Sequence, residues 1–345
     1  MLYQVVVALS IISTAAQRPA DPTDMHLDPA FPQFMKFMTD FRNGVPYSSA
    51  AETLGRFTAF KANLQLIGER NAKGQETHGI TKFADLTREE FKAQYLTLRP
   101  PTANALRSMK QLDHLVQANY TAASTDWCAK GACTPVKNQG QCGSCWAFSA
   151  TEQLESQYYQ TYGKLIELSP QQLTSCDPNC GGCNGGNPIN AWIYVNSFGG
   201  QESESDYPYV SGVTKQTGSC SSKIAEVTEA VGADVGYFIA QRPAQESNML
   251  KQIGLSPMSI AVDAELWQTY TGGIIGPKSG CGTTIDHAVQ VTGYNAEGNY
   301  WIVRNSWGPN WGESGFVYLT YGDNVCGITS QATITVPEVV GKLDL

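Results

Sequence analysis

The sequence predicts an α+β fold in which a helical half precedes a β half, with a cleft between them. Three observations carry this expectation. Helical periodicity dominates to about residue 200, strand-like runs dominate beyond about residue 225, and a linker-like stretch over residues 99–124 sets an N-terminal segment apart from both. With 345 residues, 42% of them apolar, the chain has material for a sizeable core, and disorder is not the expectation.

The chain opens with MLYQVVVALSIISTAA, an apolar run from Leu2 to Ile12 ending in small residues. That is the shape of a secretory signal cut near Ala15 or Ala16, although no basic residue precedes the run. It is too short to span a bilayer as a helix, and no later segment offers a membrane span. From Phe31 to about Leu98 the sequence reads helical and polar. Glu52, Arg56, Phe60, Asn63, Ile67 and Asn71 recur at steps of four, four, three, four and four, which keeps them on one helical face. That stripe mixes charged, amide and apolar groups, unlike an ordinary amphipathic face. An extended piece, Gly79–Asp85, follows, and Thr87 with Glu90 forms a capping box for a brief helix. Prolines begin the 99–124 stretch and small polar residues end it. The domain boundary is placed there, giving a signal over 1–16, a leader over 17–120 and a main domain over 121–345. Asn119-Tyr120-Thr121 is the one glycosylation sequon.

Past Trp127 the pattern changes. Trp146–Tyr162 reads as a helix with Ala147, Ala150, Leu154 and Tyr158 on one face and Gly163 as its stop. Ser169 followed by Pro170 marks a second helix start, and Pro188–Phe198 a third, closed by Gly199-Gly200. Strands are expected at Met258–Val262, His287–Tyr294, Tyr300–Asn305 and Gly315–Thr320, with Asn295–Gly298 as a hairpin turn.

Charge is uneven. Before Thr121 there are 13 Lys and Arg against 11 Asp and Glu; from Thr121 onward there are 10 against 20. A mildly basic leader on an acidic body fits an intramolecular partner and argues against a nucleic-acid ligand for the body. Nothing in the sequence suggests a metal or organic cofactor. The ten cysteines in a chain bound for an oxidising compartment point to bridges. Taken alone, however, QGQCGSCWAFS leaves four readings open: a redox pair of Cys142 and Cys145, half of a zinc site shared with Cys180 and Cys183, a structural bridge, or a nucleophile beside a bridged neighbour. Cys145 stands at the first turn of the Trp146 helix, where unpaired N–H groups and the helix dipole stabilise a thiolate.

QGQCGSCWAFS, Asp286-His287-Ala288-Val289 and Asn305-Ser306-Trp307-Gly308 resemble, in this order, the three active-site blocks of papain-like cysteine proteases, with similarity from about Trp127 to Val336. The resemblance implies a two-domain fold, helical on the left and β-barrel-like on the right, with the active-site cleft between. It implies a cysteine endopeptidase in which Cys145 attacks the peptide carbonyl, His287 pairs with the thiolate and protonates the leaving amine, and Asn305 orients the imidazole. Trp307 would shield that contact, and Gln139 with the Cys145 N–H would form the oxyanion hole. The resemblance also implies bridges Cys142–Cys183, Cys176–Cys220 and Cys281–Cys326. Cys128 and Cys133, close in sequence, are expected to pair with each other, which leaves Cys180 without a partner or an explanation.

By the same resemblance Gly185 and Gly186 would pair with an extended substrate. Asn187, Pro188, Ala261, Ile285 and Gln331 would line the pocket for the second residue before the scissile bond, its apolar preference weakened by the two amides. The six-residue stripe matches the E-x3-R-x3-F-x2-N-x3-I-x3-N pattern of cathepsin L-like inhibitory propeptides. Gly79–Asp85 resembles their G-x-N-x-F-x-D motif, with Thr81 in place of Asn. Such leaders cross the cleft in the non-productive direction and leave at acid pH, and protonation of carboxylates such as Glu52 beside Arg56 offers a mechanism. The implied setting is the secretory route, either lysosome or vacuole or outside the cell. The implied partners are peptide and protein substrates, the chain's own leader and cystatin-type inhibitors, with the enzyme a monomer. No occluding insertion is visible near Cys220 to Ala240, so an endopeptidase is expected rather than an exopeptidase.

Overall fold

Thr87, Ser169 and Asn187 cap helices with their side chains, and Asn43, Gly163, Gly199 and Lys215 end helices in the left-handed region. The computed structural model describes residues 22–108, 110–111, 124–221, 236–237 and 246–335. The expected signal, the Asn119 sequon, the boundary near residue 120, most of the Cys220–Ala240 stretch and the tail from Val336 lie outside these residues. In chain order the elements are α1 (Phe31–Arg42), α2 (Ala50–Asn71), β1 (Thr77–His78), α3 (Arg88–Tyr95), α4 (Ala103–Ser108), β2 (Lys110–Gln111) and β3 (Thr125–Asp126). Next come α5 (Cys145–Tyr162), α6 (Pro170–Cys176), α7 (Pro188–Phe198), α8 (Ser211–Thr214), β4 (Gly236–Tyr237), α9 (Glu246–Ile253), β5 (Met258–Val262), β6 (Tyr270–Gly272), β7 (Ile274–Ile275), β8 (His287–Asn295), β9 (Tyr300–Arg304), β10 (Phe316–Thr320) and β11 (Gln331–Thr333). A short 3-10 helix, Glu265–Thr269, leads into β6.

Residues through Thr58 and residues from Ala59 form two units. In the first, α1 buries Phe34, Phe37 and Met38, and the Phe34 ring stacks on Tyr47 and tilts against Phe57 at 5.1 Å. The second unit holds everything that follows.

Local signals account for the helix limits. Thr87 accepts from the Glu90 N–H while the Glu90 carboxylate takes the Thr87 N–H, a reciprocal capping box for α3. Ser169 caps α6 and Asn187 caps α7, each ahead of a proline, and Gly163 and Gly199 close α5 and α7 in the left-handed region. Helix α9 was not foreseen, because the sequence beyond residue 225 was expected to be strands. The piece expected to be extended, Gly79–Asp85, turns at Lys82–Asp85, with the strand falling at Thr77–His78 instead. Thr81 causes the turn: its hydroxyl accepts from the Phe83 N–H and donates to the Gln268 carbonyl at 2.6 Å.

The main sheet runs β11-β5-β8-β9-β10-β7, with β3 on β8. All its pairings are antiparallel except β10 with β7. Where the family resemblance implied a barrel-like half, the described strands form an open sheet ending at β7 and β11. One core lies within this sheet and the other among α5, α6 and α7. Helix α5 joins the halves and is buried from Cys145 to Tyr158. Its Ser149 hydroxyl donates to the Val289 carbonyl at 2.8 Å and meets Ser259 Oγ at 2.6 Å. Ser149 lies one turn after Cys145, and Val289 two residues after His287, so this latch sets the start of α5 beside the start of β8.

The chain forms four disulfides: Cys128–Cys133, Cys142–Cys183, Cys176–Cys220 and Cys281–Cys326. Cys145 and Cys180 are free thiols. Residues 99–108, expected to belong to the linker, are instead docked: Thr102 N–H binds Asn190 Oδ1 and Ala105 enters the helical core. Among the described residues no helix is long and apolar enough to cross a membrane.

Ser149→Ala should strand the Val289 carbonyl and the Ser259 hydroxyl in the interior. A loss of about 1–3 kcal/mol is expected, measured by urea unfolding of the intact chain.

Candidate active site

Cys145 is the first residue of α5. The chain reaches it through a segment fixed at each step. Cys142 is bridged to Cys183, and the Gly143 N–H binds the Cys183 carbonyl at 3.0 Å. At Gly143 a Cβ would stand 2.4 Å from that carbonyl, so no larger residue fits the approach. Ser144 makes no side-chain cap; its hydroxyl meets Tyr209 Oη at 2.7 Å, and Tyr209 donates to the Gln139 carbonyl at 2.9 Å.

The Gln139 side chain is oriented by its own oxygen. Oε1 accepts from Ser306 Oγ at 2.8 Å and from Trp307 Nε1 at 3.1 Å, which turns the amide nitrogen the other way. Nε2 donates one hydrogen to the Cys142 carbonyl at 3.0 Å and has a second to offer.

On the facing sheet, Val262 pairs with His287 and Ala261 with Ala288, so His287 opens β8 at the edge of the cleft. Backbone of Ala288 meets the Cys145 sulfur. The His287 ring sets Nε2 2.8 Å from Asn305 Oδ1, and Asn305 Oδ1 also takes the Ser306 N–H. Asn305 Oδ1 can only accept, so Nε2 carries the proton and neutral Nδ1 presents a lone pair. Nδ1 has no side-chain partner among the described residues. Trp307 lies over the imidazole with ring centroids 4.8 Å apart, and Trp267 meets it edge-on at 6.0 Å. The Cys145 thiol thus stands at a helix start, and the His287 imidazole is held by an amide at the start of the strand facing it.

The leader covers this assembly. Phe83, Phe91 and Tyr95 close on Trp307 at centroid distances of 5.1, 5.4 and 6.3 Å, and all join the sheet core. Lys82 donates to the Trp307 carbonyl at 2.8 Å, and burial pulls its ammonium down to about 8. Thr97 Oγ1 stands 4.0 Å from Cys145 Sγ and donates to the Gly143 carbonyl. Leu98 pairs in parallel with Gly186, Leu98 N–H binds the Asp286 carbonyl, and Arg99 N–H binds the Gly186 carbonyl at 2.8 Å. Gly185, at φ +103°, leaves room where a Cβ would stand 2.0 Å from the Thr97 carbonyl.

Beyond Gly186 the two expected amides meet. Asn187 Nδ2 donates to Gln331 Oε1 at 3.1 Å and Gln331 Nε2 returns to Asn187 Oδ1 at 3.2 Å. Gln331 is paired with Ala261 across β11 and β5, and Pro188 follows Asn187 into α7. Ile285 is half-buried in the loop entering β8. Asn187 Nδ2 also binds the Arg99 carbonyl, so the leader touches this floor directly. Cys180 lies beneath it, with its sulfur 3.9 Å from the Asn187 carbonyl and from Asn190 Nδ2. Burial pushes its thiol well above the ordinary value, which disfavours the reactive thiolate.

Desolvation under the leader governs the charges. Burial raises the Cys145 thiol above its ordinary pKa, against hydrogen bonds from the surrounding backbone. Burial also lowers His287 to about 4, against Asn305 and the Tyr95 carbonyl. Both shifts disfavour the thiolate–imidazolium pair that a helix start favours. Among the described residues no group of His, Cys, Asp and Glu could hold a metal ion. Sequence reading passed over Thr97, Tyr209 and Ser306. Only Ser306 carried a signal, standing between Asn305 and Trp307.

Known proteins share this architecture. Residues 121–336 match the family profile described as papain family cysteine protease, and residues 34–91 match that of the cathepsin propeptide inhibitor domain (I29). Cysteine proteinase 1 of Dictyostelium discoideum is 37% identical over 88% of this chain and 92% of its own. Cysteine proteinase 1 of Zea mays is 35% identical over 96% of this chain and 97% of its own. Among solved structures, digestive procathepsin L 3 of Tenebrio molitor larval midgut superposes with a TM-score of 0.76 at 31% identity, covering 90% of this chain and 99% of that one. The recombinant stem bromelain precursor gives 0.73 at 33% identity, covering 90% and 100%.

Cys145 should be alkylated by iodoacetamide more than about tenfold more slowly in the intact chain than after leader removal at the same pH. Mass spectrometry of the Cys145 peptide reads this directly, and equal rates would contradict desolvation by the leader.

Proposed function

The chain belongs to the papain family of cysteine proteases and carries the cathepsin-type inhibitory propeptide; from that premise we propose an endopeptidase with Cys145, His287 and Asn305 as its triad and Gln139 in its oxyanion hole. The observation that carries this reading is the His287 Nε2 to Asn305 Oδ1 contact buried under Trp307, which leaves Nδ1 as the lone-pair face. Departure of the leader returns water to the site, so the proton moves from Cys145 to His287 Nδ1 and a thiolate–imidazolium pair forms.

The thiolate attacks the scissile carbonyl carbon, and the C=O electron pair moves onto oxygen. The Cys145 N–H and the second Gln139 Nε2 hydrogen stabilise that charge. Collapse breaks the C–N bond as His287 gives its proton to the amine, leaving an acyl thioester. His287 then takes a proton from water, whose oxygen attacks the thioester, and release of the carboxylic acid restores Cys145. The substrate lies along Gly185 and Gly186 in the direction opposite to the leader. Its second residue before the cut enters the pocket of Asn187, Pro188, Ala261, Ile285 and Gln331, whose amide-paired floor admits polar as well as apolar groups. Residues 1–16 act as signal, 17–120 as leader and 121–345 as a monomeric peptidase in the secretory route, open to cystatin-type inhibitors.

Acid release has a buried sensor in this reading. Glu52 is exposed with Arg56 4.0 Å away, and exposed pairs contribute little. His78 is buried instead, with Nδ1 2.9 Å from Thr269 Oγ1, Nε2 3.4 Å from Glu76 Oε1, and Arg70 donating to the same threonine hydroxyl. Burial first, then Arg70, lower its pKa in the docked state. A group with a depressed docked pKa supports docking fully above its free value, about 6.5, and loses that support as pH falls below it.

An epoxide electrophile added to acid-activated protein should label Cys145 alone and abolish hydrolysis of a Phe-Arg peptide. Labelling of Cys142, or activity in Cys145→Ser, would overturn the assignment. Gln139→Ala should lower kcat by about 10²- to 10³-fold. His78→Gln should move the midpoint of acid activation to lower pH; an unchanged midpoint would remove His78 as the sensor.

A further inference from the structure

The leader holds the cleft through an ordered series of contacts. Arg88 and Lys92 meet Glu265, the Tyr95 carbonyl meets His287, Thr97 meets Cys145, and Arg99 meets Gly186. Glu265 therefore lies beyond His287 on the side away from Gly186. A cleaved peptide must place its scissile carbonyl at Cys145 and its departing amine at His287, which supplies the proton. The residues after the cut consequently continue toward Glu265.

Glu265 opens the 3-10 helix whose Trp267 packs against His287. Its two carboxylate oxygens are divided between leader cations, Oε2 taking Arg88 Nη2 and Oε1 taking Lys92 Nζ. Burial alone would raise this carboxyl, but the Lys92 and Arg88 hydrogen bonds hold it below the ordinary range. The neighbouring acids are committed elsewhere. Asp263 accepts from the Glu265 and Thr284 N–H groups, and Asp286 from the Ala264 N–H at 2.9 Å. Burial raises both carboxyls, Asp286 to about 7. When the leader leaves, a carboxylate that is 19% exposed in the docked state loses both of its side-chain partners.

We propose that Glu265 is a specificity-determining residue that binds a lysine or arginine side chain from the first two residues after the scissile bond, in the place that Lys92 and Arg88 occupy in the zymogen. The proposal rests on the protease reading of Cys145 and His287. Once Lys92 and Arg88 leave, the Glu265 carboxylate has no leader cation beside it, and a substrate cation placed there restores that attraction.

The test uses internally quenched peptides with one acyl half and with Lys, Gln or Glu at the two positions after the cut, cleaved by the acid-activated chain. The expected order of kcat/KM is Lys over Gln by about tenfold and Gln over Glu. In Glu265→Gln the Lys-to-Gln ratio should collapse to about one, a change that a merely structural role would not produce. In the wild-type protein the same ratio should shrink as ionic strength rises from about 0.01 M to about 1 M, which tests the proposal even if the variant does not fold. A wild-type ratio near one, a ratio that survives Glu265→Gln, or one indifferent to salt would overturn it. Failure to cleave any of the peptides would instead overturn the protease reading beneath it.

Discussion

The indole of Trp307 is the point on which the site depends. One face covers the imidazole of His287 and its bond to Asn305, while the ring N–H holds Gln139 Oε1 and so turns the Gln139 amide toward the cleft. Water kept from a neutral amide–imidazole bond cannot compete for it, so ring orientation and tautomer are built into the main domain. Charge is a separate matter. It depends on what lies over Cys145 and His287, and in this chain the cover is the leader, whose Phe83, Phe91 and Tyr95 close on the same indole. Ring orientation is thus set within the main domain, while burial under the leader disfavours the charged forms of Cys145 and His287.

Three kinds of tie bring Cys145 and His287 from opposite halves to one cleft. The Ser149 latch aligns α5 with β8 inside the core. The bridges act at the rim, Cys142–Cys183 holding the approach to α5 and Cys281–Cys326 holding the loop ahead of His287. Deeper still, Arg304 donates to the Thr134 and Pro135 carbonyls and lies 3.8 Å from Glu152, tying β9 to the segment before Gln139. These ties sit within a turn or two of the reacting groups, which limits how far either can drift.

The leader's mixed polar stripe finds its reason in this arrangement. Asn63 spans the chain with bonds to the Ala84 and Leu86 carbonyls, and Asn71 braces His78 by both its N–H and its carbonyl. An apolar stripe would bury surface equally well but would leave those backbone groups unpaired. Asn63 and Asn71 alternate with Phe60 and Ile67 there because the helix both packs and satisfies the irregular chain that follows it.

The sequence by itself determined what depends on neighbours within a few positions. The limits of α5 and α7, the Thr87 capping box, the Asn295–Gly298 turn and the strand at Met258–Val262 all follow from caps, glycines and periodicity acting over one or two turns of chain. The residues that meet at the site were also legible, because their types and order match a known constellation. Tertiary structure alone decided the rest. That Gly79–Asp85 bends, that Thr97 stands on the thiol, that Asn187 and Gln331 pair, and that Glu265 faces leader cations all depend on groups tens to hundreds of positions apart. Desolvation is the common reason. Whether Cys145 carries a charge depends on how much water reaches it, and no local stretch of sequence encodes that.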